Sequence, residues 1–249
     1  MSDQIVSLIA PAKLTLALRV AGIRADGFHL IDAEMVTLDL ADELVLDTTR
    51  SGLEIVGKFT DDLEISSDNL VLRALRLVNR QAHVTITKNI PSGGGLGGGS
   101  ADAAAILRWA GFTDLVSAAK LGADIAFCMV GGRARVSGIG EVINPLKKIS
   151  QKITLVVPPF RVSTPDVYHA YDELTDLCKK PIMHSGVNDL EPAAIKVEPR
   201  LAEWKKKIAN AAGDEPTLAG SGSTWWLNGE FDDLAAKLAD ATVLTTQTN

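Results

Sequence analysis

Cysteine is scarce in this chain of 249 residues: Cys128 and Cys178 stand far apart, and neither belongs to a C-x-x-C or Cys/His ligand pattern. A disulfide framework and a zinc site therefore have little support, and the usage fits a reducing cytoplasm. Basic charge is short as well. Lys and Arg number 25 against 31 Asp and Glu, a net charge of -6, with no Lys/Arg block along the chain. Such a surface cannot neutralise a phosphate backbone, so no nucleic-acid partner is expected. Long apolar runs are missing, none reaching the ~18 residues that a membrane span needs. The first residues carry Asp3 and Gln4 rather than a basic n-region, so neither secretion nor a membrane is expected. Internal repeats and low-complexity segments are absent too.

What is present is an ordinary globular composition, 46% hydrophobic and 22% charged, long enough for one large domain or two small packed ones. Residues 7–20 (SLIAPAKLTLALRV) alternate apolar and polar around Pro11, which reads as strand, kink, strand. Strand character continues over 34–47, split at Ala41-Asp42, and over 53–56. Asp68 caps an amphipathic helix carrying Leu70, Val71, Ala74, Leu75 and Val78, and His83 to Thr87 alternates as a strand. A glycine-rich segment (91–99) then runs into an alanine-rich helix with Ser100 as its cap and Gly111 as its stop. A short helix over 114–120, a strand RARVSG and an Asn144-Pro145 turn close the first half; the boundary is set near residue 150. The second half reads as strand 153–157, a helix from the Ser163-Thr164-Pro165 turn through Leu174, a polar loop 175–188, a helix over 199–212, a strand after Gly222 and a helix over 231–240. Trp225 and Trp226 alternate faces of that strand, and His83, His169 and His184 lack ligand spacing.

Six glycines between positions 93 and 99 leave only Leu96 with a side chain, so the backbone can curl around an anion with its N–H groups inward. The following helix adds its positive dipole end, about 0.3–1 kcal/mol per nearby charge. The bland alternative is a flexible linker, which needs neither the strand leading in nor the capped helix leading out. A P-loop fails because Gly98-Gly99-Ser100 contains no lysine. Gly93, Gly95 and Gly98 formally match a dinucleotide fingerprint, but no second parallel strand with an acidic end follows ~20 positions on.

The run PSGGGLGGGSADAAA (91–105) resembles the phosphate-binding motif of the GHMP kinases. PAKLTLAL (11–18) and LAGSGST (218–224) are similar to two more signatures of that superfamily, in the expected order. Within it, RADGFHLIDAEMVTLDLADEL (24–44), LGADIAF (121–127) and NDLEPAA (188–194) resemble the diphosphocytidyl-methylerythritol kinases over almost the whole chain. Thr15 departs from that pattern, where Asn is usual, as does Ala126, where Pro is usual.

The resemblance implies an α+β, two-domain GHMP kinase fold. Residues 1–150 would form a ribosomal-protein-S5-like, ATP-binding N-terminal domain and 151–249 a ferredoxin-like C-terminal domain, with the site in the cleft between them. It implies ATP, with magnesium, as phosphoryl donor and a cytidine-diphosphate-linked methylerythritol as acceptor, in a monomer or homodimer. Asp124 matches the catalytic aspartate that takes the hydroxyl proton, although by itself an Asp there reads as a cap or turn residue. Lys13, a cation in an apolar strand, either snorkels to water or meets an anion; the resemblance sets it beside Asp124. Pro91, Ser92, Gly93, Gly94, Gly95, Leu96, Gly97, Gly98, Gly99, Ser100 and Ala101 would hold the nucleotide. Phe28, His29 and Tyr168 would enclose the cytosine base, with Gly220, Ser221 and Gly222 lining the site from the second domain. Tyr168 could instead be core, and Asp26 either contacts substrate or only shapes its turn. No carboxylate pair declares a metal site. The rivals are another GHMP kinase, acting on homoserine, mevalonate or a sugar, which would not need the aromatic-His pair, and a catalytically silent GHMP-fold protein, against which Asp124 and Lys13 both argue.

Overall fold

The computed structural model describes residues 4–60, 66–175 and 186–249. The expected polar loop lies mostly on 176–185, outside the described residues, as do Cys178 and His184.

The alternating pattern of the first fifty residues produces two strands of 19 residues each, β1 (Ile5–Ile23) and β2 (His29–Asp47), antiparallel along nearly their whole length. The expected kink at Pro11 does not break β1. Pro11 faces Ala41, and the irregularity comes one step later, where residues 38–40 of β2 bow away opposite Ala12. A proline is tolerated where no ladder hydrogen bond needs its missing N–H. The expected split at Ala41-Asp42 is likewise bridged, because the Asp42 carboxylate turns inward rather than ending the strand.

The chain continues through β3 (Gly52–Gly57), α1 (Leu70–Leu77), β4 (His83–Lys88), α2 (Gly98–Trp109), α3 (Leu115–Leu121), α4 (Ile125–Val130), β5 (Arg133–Gly138) and β6 (Val142–Pro145). Opposite β1, β2 pairs with β4 over Glu43 to Asp47 and with β5 over Ile31 to Val36. β3 adds parallel to β4 and β6 antiparallel to β5, so the expected Asn144-Pro145 turn is instead the end of a strand. Helix α2 is buried all round from Ala101 to Leu107. Its alanines let it lie close against α1, α4 and β1, a position that larger side chains would overfill. Gly97, in the left-handed region at φ 70°, caps α2 in place of the expected Ser100, which sits inside the first turn. The stop is as read: Gly111 N–H donates to Arg108 and Phe112 N–H to Leu107, a Schellman ending.

The second half supplies β7 (Lys152–Val157), α5 (Thr164–Thr175), α6 (Glu191–Val197), α7 (Arg200–Ala212), β8 (Thr217–Leu218), β9 (Trp225–Asn228), α8 (Leu234–Lys237) and β10 (Thr242–Gln247). The strands lie in the order β10-β7-β9-β8, all antiparallel. Taken in chain order this is 4-1-3-2, the split β-α-β arrangement of ferredoxin-like sheets. The helix expected over 231–240 shrinks to the four residues of α8, and α6 and β10 carry no clear periodicity of their own. Trp225 is buried and Trp226 partly exposed, as alternation requires.

Where β2 leaves β1, it takes up β10 instead. Leu40 N–H donates to Thr246 Oγ1, Gln247 N–H to Asp39 and Asn249 N–H to the Thr37 carbonyl. Between the two sheets lies a small apolar cluster that includes Leu14, Leu38, Leu96 and Leu155.

Helix α1 carries a discriminating test. Asn69, not Asp68, caps it, its Oδ1 accepting from Val71 N–H at 2.9 Å, while the Asp68 side chain is 85% exposed. Asn69→Ala is expected to cost about 1 kcal/mol in urea unfolding and Asp68→Ala a few tenths at most; the reverse order would contradict the cap.

Candidate active site

The glycine segment is held on two sides. Lys13 N–H in β1 donates to the Leu96 carbonyl at 3.0 Å, and Thr224 N–H donates to Gly94 at 3.3 Å. Two glycines have no substitute. Gly95, at φ 77°, lies so close to residues 219–222 that a Cβ would meet the carbonyl oxygens of Ala219 at 2.5 Å and Gly222 at 2.9 Å. At Gly97 a Cβ would meet Lys13 Cγ at 2.8 Å. The loop thus needs bare backbone both for its own turn and to let its neighbours approach.

Beneath it opens a cleft of about 450 Å³, lined by residues 91–100 and, across the gap, by Asn69, Leu70 and Lys88. The apolar walls, Ile55, Leu70, Val71 and Ile86, suit a flat base, and the loop with the α2 N-terminus suits a polyphosphate. Of the residues expected to hold the nucleotide, Pro91 through Ser100 line this cleft; Ala101 does not, being buried in the core behind it. Ser92 is occupied, its hydroxyl donating to the Phe59 carbonyl.

A second cleft, of about 580 Å³, runs from the first and carries Phe28, His29, Tyr168, Gly220 and Ser221. Gly222 is not among its walls; it backs Gly95, with Leu218 and Leu201 behind. Phe28 is more than half exposed, and the His29 ring leans on Tyr168 with centroids 4.6 Å apart. Burial pushes the Tyr168 hydroxyl above its usual range, and the Asp124 charge adds to that. It therefore enters as a neutral group.

The two clefts share Gly95 and Asp124. Asp124, which by itself reads as a cap or turn residue, starts α4, a six-residue helix whose cap position it occupies without using its carboxylate as a cap. That carboxylate meets Lys13 Nζ at 3.2 Å. Lys13 is 5% exposed, and its ammonium also donates to Thr15 Oγ1 at 3.2 Å, giving the residue that departs from the family pattern a place beside the pair. Cys128, on the same helix, is a free, buried thiol pushed up to about 12, by desolvation first and the Asp124 charge second, and so unreactive near neutral pH.

Several residues were given no role by the sequence reading, although Asn188, Asp189, Asp42 and Asp102 stand inside motifs quoted from it. Asn188 ties the site together: its amide donates to the Leu218 carbonyl at 2.9 Å and the Gly220 carbonyl at 2.7 Å, and its Oδ1 accepts from Leu190 N–H. Asp189 clamps the same segment to β1 through Arg19 and the Val20 N–H. Under the first cleft, the Lys88 ammonium lies between Asp42 and Asp102, 2.8 Å from Asp102. The signals were faint, a lysine ending a strand and a lone carboxylate in an alanine run. Desolvation lowers the Lys88 pKa, and the two carboxylates more than reverse it. Desolvation drives Asp102 the other way from its usual range, to about 7, against the pull of Lys88.

Because the folded protein holds the Asp102 proton more tightly than the unfolded chain does, stability is lost as pH rises from about 4 to about 7, and no more is lost above that. Asp102→Asn removes this titration. Its melting temperature is expected to gain on the parent between about pH 5 and 7 and to keep a constant offset above pH 8; a constant offset throughout would contradict the assignment.

Comparison with known proteins matches this geometry. Residues 69–132 match the GHMP kinases N terminal domain. The 4-diphosphocytidyl-2-C-methyl-D-erythritol kinase of Paracoccus denitrificans (strain Pd 1222) is 38% identical over 229 residues, 86% of this chain and 84% of that one. Its counterpart in Cereibacter sphaeroides (strain KD131 / KCTC 12085) is 36% identical over 262 residues, 96% and 94% of the two chains. A crystal structure of 4-(cytidine 5'-diphospho)-2C-methyl-D-erythritol kinase superposes with a TM-score of 0.75 at 29% identity, covering 98% of this chain and 99% of that one. A glycine nest, a lysine-aspartate pair where two clefts meet and relatives spanning nearly the full length lead to one conclusion: the chain belongs to the 4-diphosphocytidyl-2-C-methyl-D-erythritol kinases, within the GHMP kinases.

Proposed function

We propose that this kinase transfers the γ-phosphoryl group of ATP to the 2-hydroxyl of 4-diphosphocytidyl-2-C-methyl-D-erythritol, giving the 2-phosphate and ADP. The observation that carries the reading is the contact between Lys13 and Asp124 where, among the described residues, the nucleotide cleft meets the acceptor cleft. In-line transfer needs an alcohol oxygen, a proton acceptor beside it and positive charge near the phosphate oxygens. Asp124, partly exposed, takes the hydroxyl proton as the new O–P bond forms and the bond to the ADP oxygen breaks. Lys13, in contact with that carboxylate, orients it and draws the transferring group toward the alcohol. The loop 93–99 holds the triphosphate through backbone N–H groups and the start of α2.

Phe28, His29 and Tyr168 receive the cytosine base, and stacking of this kind contributes about 1–3 kcal/mol per base. Gly220 and Ser221 close the cleft from the second half, where the Ser221 hydroxyl pairs with Thr164 Oγ1 at 2.7 Å. In this reading residues 1–150 and 151–249 act as two domains, with the acceptor between them. Magnesium supplies further positive charge and arrives with the ATP. Among the described residues no three His, Cys, Asp or Glu side chains gather as a metal cage, so no step is assigned to a protein-held ion. Among the described residues no helix is long and apolar enough to cross a membrane, and a cytoplasmic place suits a route that consumes ATP.

The test is ADP release from ATP, magnesium and the cytidyl alcohol, with homoserine and mevalonate in parallel. Asp124→Ala is expected to lower kcat by about 10²–10⁴-fold while leaving ATP affinity within a factor of about three. Turnover of homoserine or mevalonate, but not of the cytidyl compound, would reject the assignment. A second expectation concerns the nest: Gly97→Ala adds a side chain that must displace Lys13, so KM for ATP rises and kcat falls together, by about tenfold or more each. Unchanged kinetics would separate the loop from the lysine.

A further inference from the structure

One group in the acceptor cleft has no part in the chemistry above. Asp172 lies one helical turn beyond Tyr168 on α5, so both face the cleft. Its Oδ1 is 2.7 Å from His29 Nε2. The His29 ring is fixed from a second side by Tyr168, at 4.6 Å and an interplanar angle of 36°, and its side chain is only 12% exposed. Neither ring flip nor drift is free in such a setting.

An ionised carboxylate only accepts hydrogen bonds, so the proton of a neutral His29 sits on Nε2, donated to Asp172. The other ring nitrogen, Nδ1, is then bare and can only accept. We infer that Asp172, by holding His29 in this tautomer, makes Nδ1 an acceptor that selects an aromatic base bearing an exocyclic amino group over one bearing a carbonyl at that position, cytosine over uracil. The inference rests on the reading that the cleft takes a cytidyl group. It assigns a reason for the choice of base to a residue that acts through its hydrogen bond with the histidine, which makes Asp172 a positioning residue.

The two pyrimidines share their stacking faces and the carbonyl at position 2, so Phe28 and Tyr168 cannot tell them apart. They differ at position 4, where cytosine donates and uracil accepts, and at position 3, where the order reverses. A donor at Nδ1 would face the cytosine amino group as like against like. A site built around one hydrogen bond rejects an analogue that leaves it unpaired far more strongly than it rejects a change in size.

The test uses the full chain and has two arms. In the first, nitrogen-15 NMR of the protein labelled at histidine reads the tautomer directly; the chain has four histidines, and His29→Gln identifies the signal. The parent protein is expected to show Nε2–H, and Asp172→Ala to show a mixture. In the second, calorimetry compares CMP with UMP. The parent is expected to favour CMP by at least about 100-fold, Asp172→Ala and Asp172→Asn by about tenfold or less, with kcat at saturating cytidyl substrate within a factor of about three. Loss of stacking or folding would weaken both nucleotides equally and is read by the UMP affinity. Nδ1–H in the parent, or an unchanged CMP/UMP ratio in both variants, overturns the inference. Preference for CMP without phosphorylation of the cytidyl alcohol would reject the proposed reaction and leave the role of Asp172 supported.

Discussion

Lys13 faces Asp124 in a place where the lysine could not stand alone. An ammonium this deeply buried needs a partner, because desolvating an unpaired charge costs several kcal/mol. The partner is a carboxylate with one side open to two clefts, 3.2 Å away. Much of the surrounding structure serves that contact. The register shift after Pro11 brings Lys13 opposite Thr37, Leu96 is tied to its N–H, and Gly97 exists so that its methylene chain can pass. An ion pair in such a position is poor at stabilising a fold and well suited to polarising a substrate.

Around this pair the two halves contribute unlike things. The first half gives rigid elements: long strands, a helix buried all round, and a loop whose turns only glycine can make. The second half gives a covering surface, fixed by side chains rather than by an extended ladder. Asn188 and Asp189 reach from the start of α6 to the loop at 218–220 and to β1. The last residues of the chain fasten the other side, where β2 exchanges β1 for β10. The first is largely buried and the second half-exposed; hydrogen-bonded contacts of this kind rigidify a site more than they add to stability. The buried Lys88, held between Asp42 and Asp102, fixes the floor of the first cleft, at the cost of a buried Asp102 Oδ1 without a partner among the described residues and a carboxyl that titrates near neutral pH.

The sequence was most legible where chemistry constrains local backbone. The glycine run, the Schellman ending at Gly111 and the alternation of Trp225 and Trp226 follow from residue type alone, and the ordered motifs made the family readable in the sequence itself. Local signals failed where tertiary contacts overruled them. Pro11 and Ala41-Asp42 look like breaks, yet each sits in a strand: residues 38–40 of β2 take up the irregularity opposite Ala12, and the Asp42 carboxylate turns inward to Lys88. Ser100 looks like a cap, but the left-handed Gly97 starts the helix earlier. The long-range pairs were beyond periodicity: Asp42 with Lys88, and His29 with Asp172, are separated by 46 and 143 residues. Only the fold brings them together.

One structure decides where the reacting groups meet: a complex with a non-hydrolysable ATP analogue and the cytidyl alcohol, solved together. The terminal phosphorus should lie over the Lys13 ammonium, with the acceptor hydroxyl between it and the Asp124 carboxylate at hydrogen-bond distance. A triphosphate seated elsewhere, or an acceptor hydroxyl out of reach of Asp124, would contradict it.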